Sequence, residues 1–287
     1  MDDGSLNGIK PPPSADLTED GDVCVCTWNV NSVKARLPAL TAYLQNKSPD
    51  ILMLQEIKTE TDSFPFFELS GLGYSCAVKG QKSYNGVALL SKHKIELIRD
   101  VLPDAPDNGE QARYIEAFCP TLNSIFVSVY VPNGEPPAND PDSTDRLEYK
   151  IAWMNALIVR VKQLMRQDIP FIVGGDFNVI EYDNDVYNPA AFKNSAFTVL
   201  PVRQCFRALY HVGLTNALRR EQKEAPVYSY WDYRAGAWEK NNGILLDHLF
   251  LSPEWADRLS GACVDSQIRG CEKASDHAPV RCDLSLQ

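Results

Sequence analysis

Five short stretches of the chain carry residue types that can do chemistry: Asn29, Glu56, Asp176 with Asn178, Asp247, and Ser275-Asp276-His277. Carboxylates and amides arriving from separate parts of a fold make an oxygen-rich shell suited to Mg²⁺ or Mn²⁺, hard cations that keep waters for a substrate phosphate. The pattern therefore points to phosphoryl-type chemistry. Asp247 stands within the apolar run Leu245-Leu-Asp-His-Leu-Phe250, where a carboxylate needs a partner. His277, at the mouth of a different apolar run, can supply it, giving an Asp247–His277 pair in which the carboxylate orients the imidazole. Each piece has a plain alternative: Gly175-Asp-Phe-Asn178 taken alone reads as a turn, and a lone histidine reads as a structural residue.

The elements that must position these groups are legible as apolar runs. Phe171-Ile-Val173 reads as a buried strand whose following glycines let the backbone turn sharply into Asp176. Val23 to Trp28 alternates and delivers Asn29 and Asn31; Ile51 to Leu54 is a buried strand that hands over to Gln55-Glu56-Ile-Lys58. Ser32 to about Gln45 is an amphipathic helix with Val33, Leu37, Leu40 and Leu44 on one face. Further strands are expected at Tyr74–Lys79, Gly86–Ser91, Arg113–Phe118, Ile125–Tyr130, Leu245–Leu251 and Ala278–Leu284. Arg146 to about Arg166 is expected as a long helix burying Ile151, Met154, Leu157, Ile158, Val161 and Leu164, with a solvated charged face, and a further helix lies near Val202–His211. Short strands joined by tight turns imply mixed or antiparallel sheets, and the order of elements fits one α/β domain of two sheets packed face to face and flanked by helices.

Composition sets the outer bounds. The 287 residues are 44% hydrophobic, enough for a sizeable core. No apolar run is long enough to span a bilayer, and the amino terminus resembles neither a secretory signal nor a transit peptide, so an intracellular, soluble protein of cytoplasm, nucleoid or nucleus is expected. The eight cysteines are scattered without a paired CxxC spacing and are expected as free thiols. A net charge of −10 runs against the basic surface usual for nucleic-acid binding. Half of it lies in residues 1 to 22, where six acidic residues face Lys10 alone. Residues 1–21, with Pro11-Pro12-Pro13, are expected to be a disordered acidic tail, and 22–287 the folded domain.

Thr27-Trp-Asn-Val-Asn31, Leu54-Gln-Glu-Ile-Lys58, Val129-Tyr-Val-Pro-Asn-Gly134, Gly175-Asp-Phe-Asn178, Tyr228-Ser-Tyr-Trp-Asp-Tyr-Arg234, Gly243-Ile-Leu-Leu-Asp247 and Glu272-Lys-Ala-Ser-Asp-His-Ala-Pro-Val280 resemble, in order and spacing, the exonuclease III family of apurinic/apyrimidinic endonucleases. The resemblance implies a four-layer α/β sandwich of the DNase I-like kind. It also implies a DNA base-excision-repair nuclease that hydrolyses, with Mg²⁺ or in its place Mn²⁺, the phosphodiester 5′ to an abasic site, leaving a 3′-hydroxyl. 3′-Phosphodiesterase, 3′-phosphatase and 3′→5′ exonuclease activities accompany that expectation. The implied substrate is double-stranded DNA with abasic sites or blocked 3′ ends, and the protein is expected as a monomer.

Residue by residue, the resemblance implies a metal held by Glu56, with Asn29, Asp276, Asp176 and Asn178 in or near its shell. Asp176, helped by Asn178, would activate the attacking water, while Tyr130 and His277, the latter oriented by Asp247, contact the phosphate. Tyr230 or Trp231, with Ile244 and Leu246, would shape a pocket for a flipped-out sugar lacking its base, and Asn133 and Lys58 are implied backbone contacts. Three positions depart from the family pattern: Ala274 for a usual Pro, Leu245 where Arg is frequent, and Asn31 where some relatives carry Asp. Two rival readings remain at this stage. One is a phosphoesterase of the same fold acting on lipids or inositol phosphates. The other is a catalytically silent DNA- or protein-binding module.

Overall fold

The computed structural model describes residues 22–221 and 226–286; the acidic tail expected over 1–21 lies outside them. The chain runs through β1 (Val23–Asn29), α1 (Val33–Lys47), β2 (Ile51–Gln55), α2 (Phe66–Ser70), β3 (Ser75–Lys79), β4 (Val87–Ser91), β5 (Glu96–Arg99), β6 (Tyr114–Cys119) and β7 (Ser124–Tyr130). It continues through α3 (Asp145–Leu164), β8 (Phe171–Asp176), α4 (Leu200–His211), β9 (Thr215–Asn216), α5 (Ala217–Glu221), β10 (Asp247–Leu251), α6 (Pro253–Asp257), β11 (Leu259–Val264) and β12 (Val280–Leu284). Two six-stranded sheets result, ordered β11-β12-β1-β2-β4-β3 and β5-β6-β7-β8-β10-β9. β1 pairs β2 and β7 pairs β8 in parallel, and the other pairings are antiparallel.

The period-two alternation of the strands decides the layers. Val25, Ile51, Met53 and Leu89 of the first sheet meet Ile115, Ala117, Phe126, Ile172 and Leu249 of the second in a core between the sheets. Cys26, Trp28, Leu52 and Leu54 point the other way, onto Leu40, Tyr43 and Leu44 of α1. Tyr114, Val127, Val129, Phe171 and Val173 likewise face α3 and α4. Helix, sheet, sheet, helix is the four-layer α/β sandwich expected. The strands missing from the sequence reading, β5, β9 and β11, are edge strands; β5 and β11 have mostly half-exposed or exposed side chains and β9 is two residues long, so none carries a periodic apolar signal.

Two expectations are corrected. The glycines before Asp176 do not turn the chain: Gly174 and Gly175 lie within β8, in register with Ser128 and Val129 of β7. A Cβ on Gly175 would stand 1.9 Å from the Val129 carbonyl oxygen, and one on Gly174 would stand 2.5 Å from Met53 Sδ of the other sheet. Their role is close approach. The polar face of α3 is not simply solvated, because Lys150 is 0% and Arg160 2% exposed. Arg160 grips Glu116 of β6 through Nη2–Oε1 at 2.6 Å and Nε–Oε2 at 3.0 Å, and Tyr114 donates its hydroxyl to the same carboxylate. Helical periodicity ranks Arg and Lys as polar and so misses a pair buried against a sheet.

Breaking such a pair from one side leaves Glu116 with only Arg99, whose Nε is 3.6 Å away, for charge compensation, whereas removing both partners leaves no buried carboxylate to neutralise. Arg160→Met should lower unfolding free energy in urea by about 3–5 kcal/mol. The double variant Arg160→Met/Glu116→Leu should recover most of that loss; equal losses in both would show that the pair is not what α3 depends on here.

Candidate active site

Register alone brings the first three groups together. Tyr130 at the end of β7 is paired across the ladder with Asp176 at the end of β8, and Asp176 with Asp247 at the start of β10. Because β10 runs antiparallel to β8, the first residue of one strand stands beside the last of the other. The second sheet thus presents Tyr130, Asp176 and Asp247 in one row. From the first sheet, Asn29 ends β1 and Glu56 follows β2, the two strand ends being in register at Asn29 and Gln55. The segment before β12 is tied to β1 by Ser275 Oγ donating to the Asn29 carbonyl at 2.7 Å and by Trp28 Nε1 donating to the His277 carbonyl at 3.1 Å. That places Asp276 and His277 against the row.

His277 Nδ1 lies 2.7 Å from Asp247 Oδ2, and Nε2 lies 3.8 Å from Asp176 Oδ2. The same Asp247 oxygen accepts from Ser229 Oγ at 2.6 Å, while the backbone N–H groups of Leu246 and Asp247 donate to that hydroxyl. Asp247 Oδ1 is buried without a hydrogen-bond partner among the described residues. Asp176 Oδ1 accepts the Asn178 N–H at 2.9 Å and Oδ2 accepts Asn29 Nδ2 at 3.0 Å. Asn178 takes a left-handed backbone, φ 51°, and its side chain donates to the Val131 carbonyl. Glu56 receives Tyr130 OH at 2.8 Å, Asn29 Nδ2 at 2.9 Å and Lys58 Nζ at 2.7 Å. Asp276 Oδ1 receives Asn31 Nδ2 at 3.0 Å.

Burial and charge set the protonation of these groups. Burial pushes Asp176 up, and although the His277 cation pulls the other way, Asp247 and Glu56 add to the rise, leaving it at about 7. Burial alone would lower His277, but the Asp247 and Asp176 carboxylates outweigh it and hold the imidazole at about 10. Glu56 ends below the usual carboxylate range: burial opposes this, and the Lys58 ammonium and the Asn29 amide prevail. Tyr130 is pushed up by burial and by Glu56 and Asp176.

These groups open onto a cleft of about 720 Å³ lined by Glu56, Tyr130, Asn133, Asp176, Asn178, Asp276 and His277 together with Tyr230, Ile244 and Leu246. Two expected residues stand back from it. Trp231 is 2% exposed, packed on Ala237 and Ala278 with its indole N–H donating to Asn241, so Tyr230, whose ring lies 4.9 Å from that of His277, is the aromatic of the pair that faces the cleft. Asn29 is fully buried, its Nδ2 bridging Glu56 and Asp176 and its Oδ1 accepting the Asn31 N–H; both ends of the amide are taken by the protein. The sequence reading also left Tyr187, Phe192, Phe197, Asp232 and Arg234 out of the cleft wall, and gave no role to Ser229. The wall residues come from irregular loops with no periodicity to announce them. Ser229 stood inside a quoted stretch but looked like a spacer between aromatics.

Comparison with known proteins then decides the kinship. The model of the Endonuclease/Exonuclease/phosphatase family matches residues 26–277. The chain belongs to this family. It is 29% identical to exodeoxyribonuclease III of Haemophilus influenzae, over 88% of this chain and 97% of the relative. Among solved structures, a 3′ phosphatase from Neisseria bound to a product DNA hairpin superposes with a TM-score of 0.85 at 35% identity, covering 92% of this chain and 99% of that one. An AP endonuclease from Archaeoglobus fulgidus superposes at 0.84 with 29% identity, over 92% and 100%. The kinship makes this protein an enzyme, a hydrolase of the DNA-repair nuclease type with the DNase I-like fold, and the family's nucleases depend on metal. No helix among the described residues is long and apolar enough to cross a membrane. All eight cysteines are free.

The two raised pKa values give a stability signature. A group whose folded pKa lies above its unfolded one stabilises fully below the unfolded value and loses that contribution as pH rises through the folded one. For Asp176 the loss runs from about 4 to about 7, and for His277 from about 6.5 to about 10. In the presence of chelator, the melting-temperature difference between wild type and His277→Gln should therefore be largest near pH 6 and shrink toward pH 10. A difference independent of pH would contradict the ion-paired imidazole.

Proposed function

We propose that this protein cuts the DNA backbone 5′ to an abasic site, leaving a 3′-hydroxyl, and that the same site removes phosphate or phosphodiester blocks from 3′ ends and degrades 3′ termini. The observation that carries the reading is the row Tyr130–Asp176–Asp247, closed by His277, at a cleft that Tyr230, Ile244 and Leu246 also line. Each of these reactions hydrolyses a phosphoester at or next to a 3′ oxygen, so one arrangement of groups serves them all.

Hydrolysis in line at phosphorus needs an activated water and donors on the non-bridging oxygens. Asp176, fixed by the Asn178 N–H and by Asn29, is the base we assign. With its pKa near 7 it can take a proton close to neutral pH. His277 stays protonated because Asp247 neutralises it, and its Nε2 side supplies positive charge to the phosphate. Tyr130 OH, held on Glu56, is the second donor. Tyr230, Ile244 and Leu246 offer an apolar surface to a sugar without its base, whereas an intact nucleotide must first be unpaired.

The oxygen donors suit a hard divalent cation: Glu56, Asp176, Asn178 and Asp276 all line the cleft. Asp176, Asp247 and His277 also offer atoms within 4.8 Å of one another. The 2.7 Å Asp247–His277 contact uses that set for proton handling, so we assign the ion to the Glu56–Asp276 side. Mg²⁺, or Mn²⁺ in its place, would there neutralise charge on the phosphate and the departing 3′ oxygen. The neutral amide Asn31, joined to Asp276 and Lys58, stands where a further carboxylate would have added charge.

The deciding assay uses a synthetic duplex with one abasic site, a duplex with a 3′-phosphate, and a phosphoinositide as control. Wild type with Mg²⁺ should cut the first two and spare the third, and chelator should abolish cleavage. Asp176→Asn and His277→Gln should each lower kcat by at least about 10²-fold. Undiminished cleavage by either variant would remove the mechanism, and preference for the phosphoinositide would remove the substrate assignment.

A further inference from the structure

The proposed chemistry leaves one buried amine without a task, its pKa pushed down to about 7 by burial although Asp176 and Glu135 pull it back up. Lys150, on the first half of α3, is 0% exposed, yet its ammonium makes no ion pair within 4 Å among the described residues. It donates instead to three backbone carbonyls: Asn133 at 3.0 Å, Asn178 at 2.5 Å and Ala196 at 2.9 Å. An ammonium has three donors, and all three are used. The carbonyls belong to three separate segments, which follow β7, follow β8 and precede α4. Each segment carries a side chain of the cleft: Asn133, Asn178 and, next to Ala196, Phe197, whose ring centroid lies 5.0 Å from the ammonium.

The fit around this side chain is tight. Gly134 has φ +85°, and a Cβ there would lie 2.6 Å from Lys150 Cδ and 3.2 Å from Ala196 Cβ, so the loop passes flush over the lysine stem. Glu135 adds a second tie by accepting the Ala196 N–H at 2.9 Å. A side chain serving only to fill space under the loop would be a Leu or Met, without the cost of burying a charge. We propose that Lys150 is a positioning residue: it sets the spacing between the Asn133 and Phe197 walls of the cleft and the Asn178 backbone that holds Asp176. It acts through these groups and touches no reacting atom. The proposal rests on the reading of the cleft given above.

Lys150→Met keeps the volume and removes the donors, whereas Lys150→Arg keeps donors and charge. Both variants, as full-length chains with Mg²⁺, are assayed on the abasic duplex at a temperature where circular dichroism shows them folded. Lys150→Met should lose on the order of 10²-fold in kcat/KM, with kcat falling through Asn178 and KM rising through Asn133 and Phe197; Lys150→Arg should regain at least part of both. A Lys150→Met enzyme within twofold of wild type would overturn the proposal, even if it melts earlier. Hydrogen exchange gives a readout that needs no substrate. The amides of residues 133–135, 178–180 and 196–199 should exchange faster in Lys150→Met while the β-sheet core keeps its protection. Uniform acceleration would mark a structural role only and sink the idea. If wild type cuts no abasic DNA but these segments loosen together, the substrate assignment fails and the positioning role stands. Should Lys150→Met not fold, Glu135→Ala is the second variant. It loosens 133–135 and 196–199 alone and should raise KM several-fold; unchanged KM and exchange would overturn the proposal.

Discussion

The site depends on two backbones coming closer than side chains allow. At Gly174 the second sheet meets Met53 of the first, and at Gly175 β8 lies against the Val129 carbonyl, with no room for a Cβ at either. That closeness keeps the ends of the two sheets within one side chain's reach of each other. Asn29 from β1 can then donate to Asp176 from β8. Below them Gln55 of β2 donates across the gap to Ser128 of β7 at 3.0 Å and to Thr27 of β1, also at 3.0 Å. A larger side chain at 174 would part the sheets and one at 175 would push β8 off β7, and each of these groups would keep its local structure but lose its neighbours.

Closeness also creates the electrostatic difficulty that the chemistry uses. Asp176, Asp247 and Glu56 are brought into a region with little water, where like charges disfavour ionisation. The chain resolves this unevenly. Asp247 receives an imidazolium and a serine hydroxyl, and Glu56 receives an ammonium, a phenol and an amide. Asp176 is left with the distant edge of His277, one amide side chain and one backbone N–H. The carboxylate with the weakest compensation is the one whose pKa rises toward neutrality, and in the proposed mechanism this sets it apart as the base. The unequal partners follow from register, since Asp176 occupies the middle of the row and its flanks are already taken.

Much of this was legible in the sequence, and the limits have physical causes. Strand alternation gave the layers, because a side chain in a two-faced sheet has only two directions to point. The same alternation put Asn29, Glu56 and Asp176 at strand ends and singled out Asp247 and His277 as a matched pair. What period cannot carry is contact across elements. Gly174 and Gly175 read locally as a turn, because their reason lies in Met53 and Val129, over 45 residues away in each case. Lys150 and Arg160 read as solvent-facing, because a polar residue's partner, rather than its helical phase, decides whether it is buried. Asn29 and Trp231 were placed with the cleft residues, but hydrogen bonds to Glu56, Asp176 and Asn241 turn them to support.

The acidic balance of the chain is also intelligible on these terms. A net charge of −10 is a property of the whole sequence, while phosphate meets only what lines and rims the cleft. His277 and Arg234 line it and Lys58 is paired with the lining residue Glu56; His277 and Arg234 lie beside carboxylates too, Asp247 and Asp232. Pairs of this kind hold positive charge in place without adding net charge, and a divalent ion among Glu56 and Asp276 would tip the balance locally. A nuclease that gains its positive field from a bound cation has less need of a basic surface. It also gives up the long-range pull that such a surface exerts on any duplex. On the proposed reading, selection of a site falls to the fit of a sugar against Tyr230, Ile244 and Leu246 rather than to general attraction for DNA.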